Sequence, residues 1–321
     1  MKKVKILEVK SEIAAGTRGA RLGVDAIKTA SINKGSDYFT RYESESVENV
    51  NEILYDGFSH PNAKYIDGVL VMFTRVCEAT HSILSEGRMP FVLAGDHSSA
   101  AGTIAGIKKA HPDKRLGVIW IDAHADLHTP YTSPSGNMHG MPLAAASKLD
   151  NLSCQVKTPK EETLIYWDKI KRLGIDGPKI NPEDICFIGL RSTEGPEESL
   201  IKEHNIKVIR VDEMREIGVE ETAVKALNTL VECDMIYISF DVDSMDPDEV
   251  SYGTGTPVED GLHFEEAKKL NSLLMANDKI VCWEMVEVNP LLDNKNTMGE
   301  KAFEVLEEVT ASYEARATAK G

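Results

Sequence analysis

The segment LGVIWIDAHADLHTP, residues 116–130, constrains this chain more than any other. Its apolar run, Leu116 to Ile121, is short and β-branched enough to be a buried strand, and it leads directly into Asp122, His124, Asp126 and His128 at every second position. If the backbone stays extended past the strand end, period-2 geometry puts these four side chains on one side. Carboxylates and imidazoles confined to one small volume repel each other unless a cation sits among them, so the pattern points to a metal site. The alternative is a polar loop with solvated aspartates.

Two further strand exits deliver the same kind of side chain. In FVLAGDHSSAAGTIAG, residues 91–106, the strand ends near Ala94, Gly95 permits a sharp turn, and Asp96, His97 and Ser98 open a helix. In MIYISFDVDSMDPDEV, residues 235–250, a buried strand ends in Asp241 and Asp243, and Asp246 with Pro247 makes a turn. A calcium-binding EF-hand loop starting at Asp241 would require Gly at its sixth position and Glu at its twelfth, where Asp246 and Tyr252 stand. Pooled, the exits supply His97, Asp122, His124, Asp126, Asp241 and Asp243. One ion cannot use six such ligands and still admit a substrate, whereas two ions about 3.5–4 Å apart with bridging carboxylates can. A donor set of oxygen and imidazole without thiolate suits Mn²⁺ before Zn²⁺, with Co²⁺ or Fe²⁺ also compatible.

Aliphatic runs near 3–9, 90–95, 116–121, 184–190, 206–211, 234–240 and 279–287 alternate with segments of helical spacing at 68–86, 98–110, 219–232, 263–276 and 297–316. This alternation predicts a three-layer α/β/α fold with a mainly parallel sheet and ligand sites beyond the carboxyl ends of its strands. Without a Pro/Gly/Ser-rich linker, a repeat or a low-complexity tract, residues 1–321 read as one domain. The N-terminal MKKVKILEV carries too short an apolar run for a signal peptide and reads as a first strand. The five cysteines are odd in number and widely spaced, without a CxxC pair, which suits a reducing, cytoplasmic compartment. A net charge of −16, from 52 acidic and 36 basic residues, argues against nucleic acid or an anionic membrane as partner and favours a cationic substrate.

Taken together, AGDHS (94–98), IDAHADLHT (121–129), SGNMHG (135–140), SFDVDSMDP (239–247), TGTP (254–257) and EVNP (287–290) resemble the signature segments of the ureohydrolase superfamily, with the arginases the nearest match. The match is clear over roughly 90–310 and looser before it, around GTRGARLGVDAI. This resemblance implies an arginase-like fold and two manganese ions. His97, Asp122, Asp126 and Asp241 would hold one, Asp122, His124, Asp241 and Asp243 the other, and Asp122 and Asp241 would bridge them. It implies attack of a metal-bridging hydroxide on the guanidinium carbon of L-arginine, giving L-ornithine and urea. In that reaction Asp126 serves as acid and base, His139 as proton shuttle and Glu287 as receptor of the guanidinium. Ser133, Ser135 and Asn137 would contact the amino-acid end of the substrate, and Thr254 would stand beside the metal ligands. A homo-oligomer, trimer or hexamer, is also implied.

The chain departs from the common arginase pattern at three places. His128 stands where many arginases have Asn. Ser192, Thr193 and Glu194 replace a segment that usually offers Asp to the α-amino group, a contact Glu194 can still make. Segment 160–174 looks like the extra helix of a divergent bacterial subgroup. Two other readings stay open: a sibling hydrolase acting on agmatine, guanidinobutyrate or a formimino group, and a non-catalytic metal-binding protein on the same fold.

Overall fold

The computed structural model describes residues 2–318. Eight strands, β1 (Val4–Val9), β2 (Glu43–Ser46), β3 (Met89–Ala94), β4 (Leu116–Ile121), β5 (Ile185–Ile188), β6 (Lys207–Ile209), β7 (Met235–Asp241) and β8 (Ile280–Val286), form one sheet in the order β2-β1-β3-β8-β7-β4-β5-β6. Every pairing is parallel.

The longer helices are α1 (Gly23–Asn33), α2 (Ile66–Ser85), α3 (Ser99–Ala110), α4 (Glu161–Lys171), α5 (Gly195–Glu203), α6 (Val211–Ile217), α7 (Val219–Thr229), α8 (Phe264–Met275) and α9 (Thr297–Thr318). Alternate residues of each central strand serve opposite cores. Ile119, Ile121, Ile238, Phe240 and Trp283 pack with α1, α7, α8 and α9, whereas Val118, Trp120, Phe187 and Tyr237 pack with α2, α3 and α4. The fold is therefore a three-layer α/β/α sandwich, and burial on both faces explains the unbroken apolar runs of its strands. Among the described residues no helix is long and apolar enough to cross a membrane.

Seven strands lie where the apolar runs predict them. The eighth, β2, has the sequence Glu-Ser-Glu-Ser and is largely exposed. An edge strand with little to bury carries no hydrophobic signal, and this one is held by its ladder to β1 and by Lys5, which reaches Glu45 at 2.8 Å and Glu43 at 3.7 Å. Its charge also discourages pairing with another chain. The helix predicted over 68–86 is α2, and Val69, Phe73, Val76, Thr80, Ile83 and Leu84 are all on its buried face.

The sheet order determines where the site forms. The chain leaves β3 and next enters the sheet's far half at β4, three positions along, and β8 and β7 later fill the two places between. The exits of β3, β8, β7 and β4 thus become neighbours at a topological switch point, the crevice where open α/β sheets bind ligands.

Helix α3, which follows the β3 exit, is seated by two glycines against α2. A Cβ at Gly106 would lie 2.6 Å from the Cys77 carbonyl oxygen, and one at Gly102 would lie 2.9 Å from that of Phe73. Gly106→Val is expected to destabilise the protein by ~1–3 kcal/mol through overpacking. Thermal unfolding checks this; an unchanged midpoint would show that the α2–α3 seam yields freely.

Candidate metal centre and active site

The β4 and β7 exits repeat one local device. Asp122 Oδ1 accepts the His124 amide at 2.7 Å, and Asp241 Oδ1 accepts the Asp243 amide at 2.8 Å. Each leading aspartate thereby spends one oxygen on the amide two residues on. The other oxygens turn inward, with Asp122 Oδ2 at 3.0 Å and Asp241 Oδ2 at 3.1 Å from His97 Nδ1, and Asp126 Oδ2 at 3.3 Å.

His97 comes from the β3 exit. Its ring stacks on Trp120 with centroids 4.0 Å apart, and its Nε2 meets the Ser239 hydroxyl at 2.8 Å. Those contacts orient Nδ1 towards the carboxylates. On the far side of Asp122, His124 Nδ1 lies 3.0 Å from Asp243 Oδ2, which also accepts the Thr256 hydroxyl at 3.0 Å. All six predicted ligands therefore converge.

The electrostatics of this cluster favour cations. Burial, and then the neighbouring carboxylates, push Asp241 and Asp126 well above the ordinary carboxylate range and raise Asp243. Burial disfavours charge on His124, but Asp243 and Asp122 outweigh it and push the imidazole up to about 12. His97 Nδ1 and Asp122 Oδ2 are buried yet make no hydrogen bond, an arrangement that is costly unless a ligand satisfies both. Two sets of donor atoms, His97/Asp122/Asp241 and Asp122/His124/Asp243, each fall within 4.8 Å of one another. These donors fit two divalent ions, with Asp122 common to both.

The backbone is strained where acid/base chemistry is expected. Asp126 (φ 50°) and Glu287 (φ 68°) adopt the left-handed conformation, uncommon for residues other than glycine and concentrated at functional sites. The Glu287 amide donates to the Gly95 carbonyl at 2.8 Å, and its Oε1 accepts the His97 amide at 2.9 Å and lies 3.3 Å from His139 Nδ1. Burial opposes charge on His139, and Glu287 beside it reverses the balance and raises its proton affinity.

A cavity of about 140 Å³ opens over the acidic cluster. His128, Ser133, Ser135, Asn137, His139 and Glu194 line it together with the six ligands, whereas Glu287 stands behind His139. Ser133 and Ser135 use their hydroxyl oxygens to accept the amides of Gly136 and Asn137, which shapes the loop. His128 Nδ1 is 3.2 Å from Thr132 Oγ1, and its Nε2 is 3.4 Å from Glu194 and 3.6 Å from Glu197. Burial pushes His128 down to about 4, so it is neutral at pH 7.

One expectation needs correcting. The threonine at the acidic cluster is Thr256, not Thr254. Thr254 is buried with its hydroxyl unpartnered and does not line the cavity. A tight turn, with the Thr254 amide on the Tyr252 carbonyl at 2.8 Å, shifts the contact two residues onward.

Three residues escaped sequence reasoning. Glu197 lines the cavity, is pushed up to about 7 by burial, and accepts the Leu127 and Glu194 amides at 3.1 Å each. Its E-x-x-E spacing from Glu194 is a capping box for α5 and was the available signal. Arg191 donates to the carbonyls of Asp243, Val258 and Glu259, clamping the β7 exit. Ser239, inside β7, had no distinguishing pattern.

Since Asp122 serves both donor sets and Asp243 only one, Asp122→Ala is expected to reduce bound manganese to well under one ion per chain, while Asp243→Ala keeps about one. Metal analysis after dialysis checks this; equal retention by both variants would refute the sharing.

A family model described as the arginase family matches residues 2–311. The arginase of Bacillus subtilis is 34% identical over 310 residues, covering 95% of this chain and 97% of its own. That of Bacillus caldovelox is 32% identical over 311 residues, covering 95% and 97%. Among solved structures, B. subtilis arginase superposes with a TM-score of 0.78 at 33% identity over 96% of this chain and 98% of its own. Entamoeba histolytica arginase, solved with L-ornithine, gives 0.83 at 26% identity over 97% and 99%. The similarity thus includes the first 90 residues, where the sequence motifs are sparse. With this fold, these converging ligands and this breadth of similarity, the chain belongs to the arginase family of binuclear metal hydrolases.

Proposed function

We propose that this chain hydrolyses L-arginine to L-ornithine and urea. The observation that carries the reading is the convergence of four carboxylates and two imidazoles beneath a cavity lined by Asn137, Ser133, Ser135 and Glu194. The acidic cluster suits a guanidinium, and the polar wall suits an amino-acid end.

His97, Asp122, Asp126 and Asp241 would hold one ion, and Asp122, His124, Asp241 and Asp243 the other. When bound, such ions supply the Lewis acidity that brings the pKa of coordinated water towards neutrality. Manganese is our preferred ion, because oxygen and imidazole donors without thiolate suit hard or borderline metals, with cobalt an alternative.

The protein's own groups do the rest. Glu287, buried behind His139, would receive the guanidinium and orient it so that its central carbon faces the attacking water. Asp126 accepts the proton of that water and returns it to the departing amino group as the C–N bond breaks. The water oxygen stays on carbon as urea, and the amine leaves as ornithine. His139, raised by Glu287, exchanges protons between the cavity and solvent. His128 and Glu194, which both line the cavity, would face the α-carboxylate and the α-amino group.

The whole chain acts as one unit in this reading. By family resemblance it assembles as a homo-oligomer, trimer or hexamer. The cytoplasm is the proposed compartment, in keeping with free, buried Cys77, Cys186, Cys233 and Cys282.

Urea release by protein loaded with Mn²⁺, Co²⁺ or Ni²⁺, assayed against L-arginine, agmatine and guanidinobutyrate, tests the proposal. Preference for L-arginine is expected, and preference for either carboxylate-free or amino-free analogue would overturn it. Asp126→Asn should keep most of the metal yet lower kcat by about 10²-fold or more, since the acid/base group is lost; near-normal turnover would reassign that role.

A further inference from the structure

The loop that supplies Ser133, Ser135 and Asn137 is gripped from outside by one residue with no assigned role. The Lys64 amide donates to the Gly136 carbonyl at 2.8 Å, and Lys64 Nζ donates to Asn137 Oδ1 at 3.0 Å. Nζ also lies 5.2 Å from the centre of the Phe58 ring, which confines the long side chain from the other side. The loop is seated on the same segment, where a Cβ at Gly136 (φ 74°) would come within 2.1 Å of the Pro61 carbonyl oxygen.

An ammonium group can only donate hydrogen bonds, so the atom facing Lys64 must be the amide oxygen of Asn137. That fixes the amide. Its oxygen is committed to Lys64, and the group it can offer a ligand is the N–H₂, a donor. Because the partners of Lys64 Nζ among the described residues are an aromatic face and a neutral amide, its charge is not consumed by an ion pair there and bears on the cavity through Asn137, which lines it. A donor backed by a positive charge favours a negatively charged acceptor, although the floor of the same cavity is acidic and favours cations.

We propose that Lys64 is a positioning residue that sets substrate specificity. It orients Asn137 and backs that amide with a cation, so that the site selects guanidino compounds whose far end carries a carboxylate over those ending in an amine alone. The inference rests on the proposed hydrolysis of L-arginine and adds to it the device that rejects the decarboxylated substrate.

The test uses the full-length, manganese-loaded protein and the variants Lys64→Met and Lys64→Arg. Lys64→Met should raise KM for L-arginine ~5–10-fold with kcat changed less than ~2-fold, and Lys64→Arg should restore most of the loss. Calorimetry with L-ornithine and putrescine separates charge reading from loop support without requiring turnover. Lys64→Met should weaken L-ornithine ~5–10-fold and leave putrescine unchanged or tighter, since removing a cation cannot penalise a purely cationic ligand. Parallel weakening of both ligands would reduce Lys64 to a structural prop, and no weakening of L-ornithine would remove it from the site; either result overturns the inference. Wild-type protein that releases no urea from L-arginine would instead overturn the proposed function, and the contrast between L-ornithine and putrescine would still judge Lys64.

Discussion

Four buried carboxylates within reach of one another are the constraint on which the rest of this structure depends. Three of them are driven towards protonation, as the raised proton affinities of Asp126, Asp241 and Asp243 indicate, while, despite its burial, the flanking histidines hold Asp122 below the ordinary carboxylate range. The fold restrains them with backbone and imidazole instead. Asp122 and Asp241 each hold one oxygen on a neighbouring amide, and two histidines are wedged among the inner oxygens. Such an arrangement is expensive as apo-protein and becomes favourable once cations enter, which couples metal binding to local stability.

Rigid support makes the expense tolerable. His97 is sandwiched between Trp120 and Ser239, Arg191 ties three carbonyls around the β7 exit, and Asp96 accepts the amides of Ala14 and Ser98. The ligands therefore sit on the ends of strands whose side chains are fully buried, and little reorganisation is left for the moment a substrate binds. Above this floor the cavity wall is more mixed: hydroxyls, the Asn137 amide held by Lys64, the neutral imidazole of His128, and the carboxylates of Glu194 and Glu197. The floor favours positive charge and the rim tolerates negative charge, a polarity that matches a zwitterion bearing a guanidinium tail.

Much of this is legible in the sequence. Period-2 spacing at Asp122, His124, Asp126 and at Asp241, Asp243 carries information because side chains alternate along extended backbone, so residue spacing translates into direction. The buried strands announced themselves for the same reason, as runs too apolar to face water. What stayed hidden was whatever depends on irregular backbone or on distant partners. Strand β2 is polar on both faces and pairs only because β1 offers it a ladder. The tight turn before Thr254 puts the contact on Thr256, and no propensity rule reports such a two-residue displacement. Glu197 reads as a helix cap in sequence, and only the packing of α5 against the His128 loop makes it part of the cavity.

By itself, then, the sequence determined the donor types, their grouping at three strand ends and the layered architecture that carries them, because these follow from local alternation and from burial. The tertiary structure alone decided that His97, 25 residues before Asp122 and 144 before Asp241, meets both within about 3 Å. It also decided that Lys64 meets Asn137 across 73 residues. Strand order is the physical reason: the exits of β3, β4 and β7 become neighbours only when β8 and β7 insert between strands laid down earlier, and that depends on the whole sheet closing its cores.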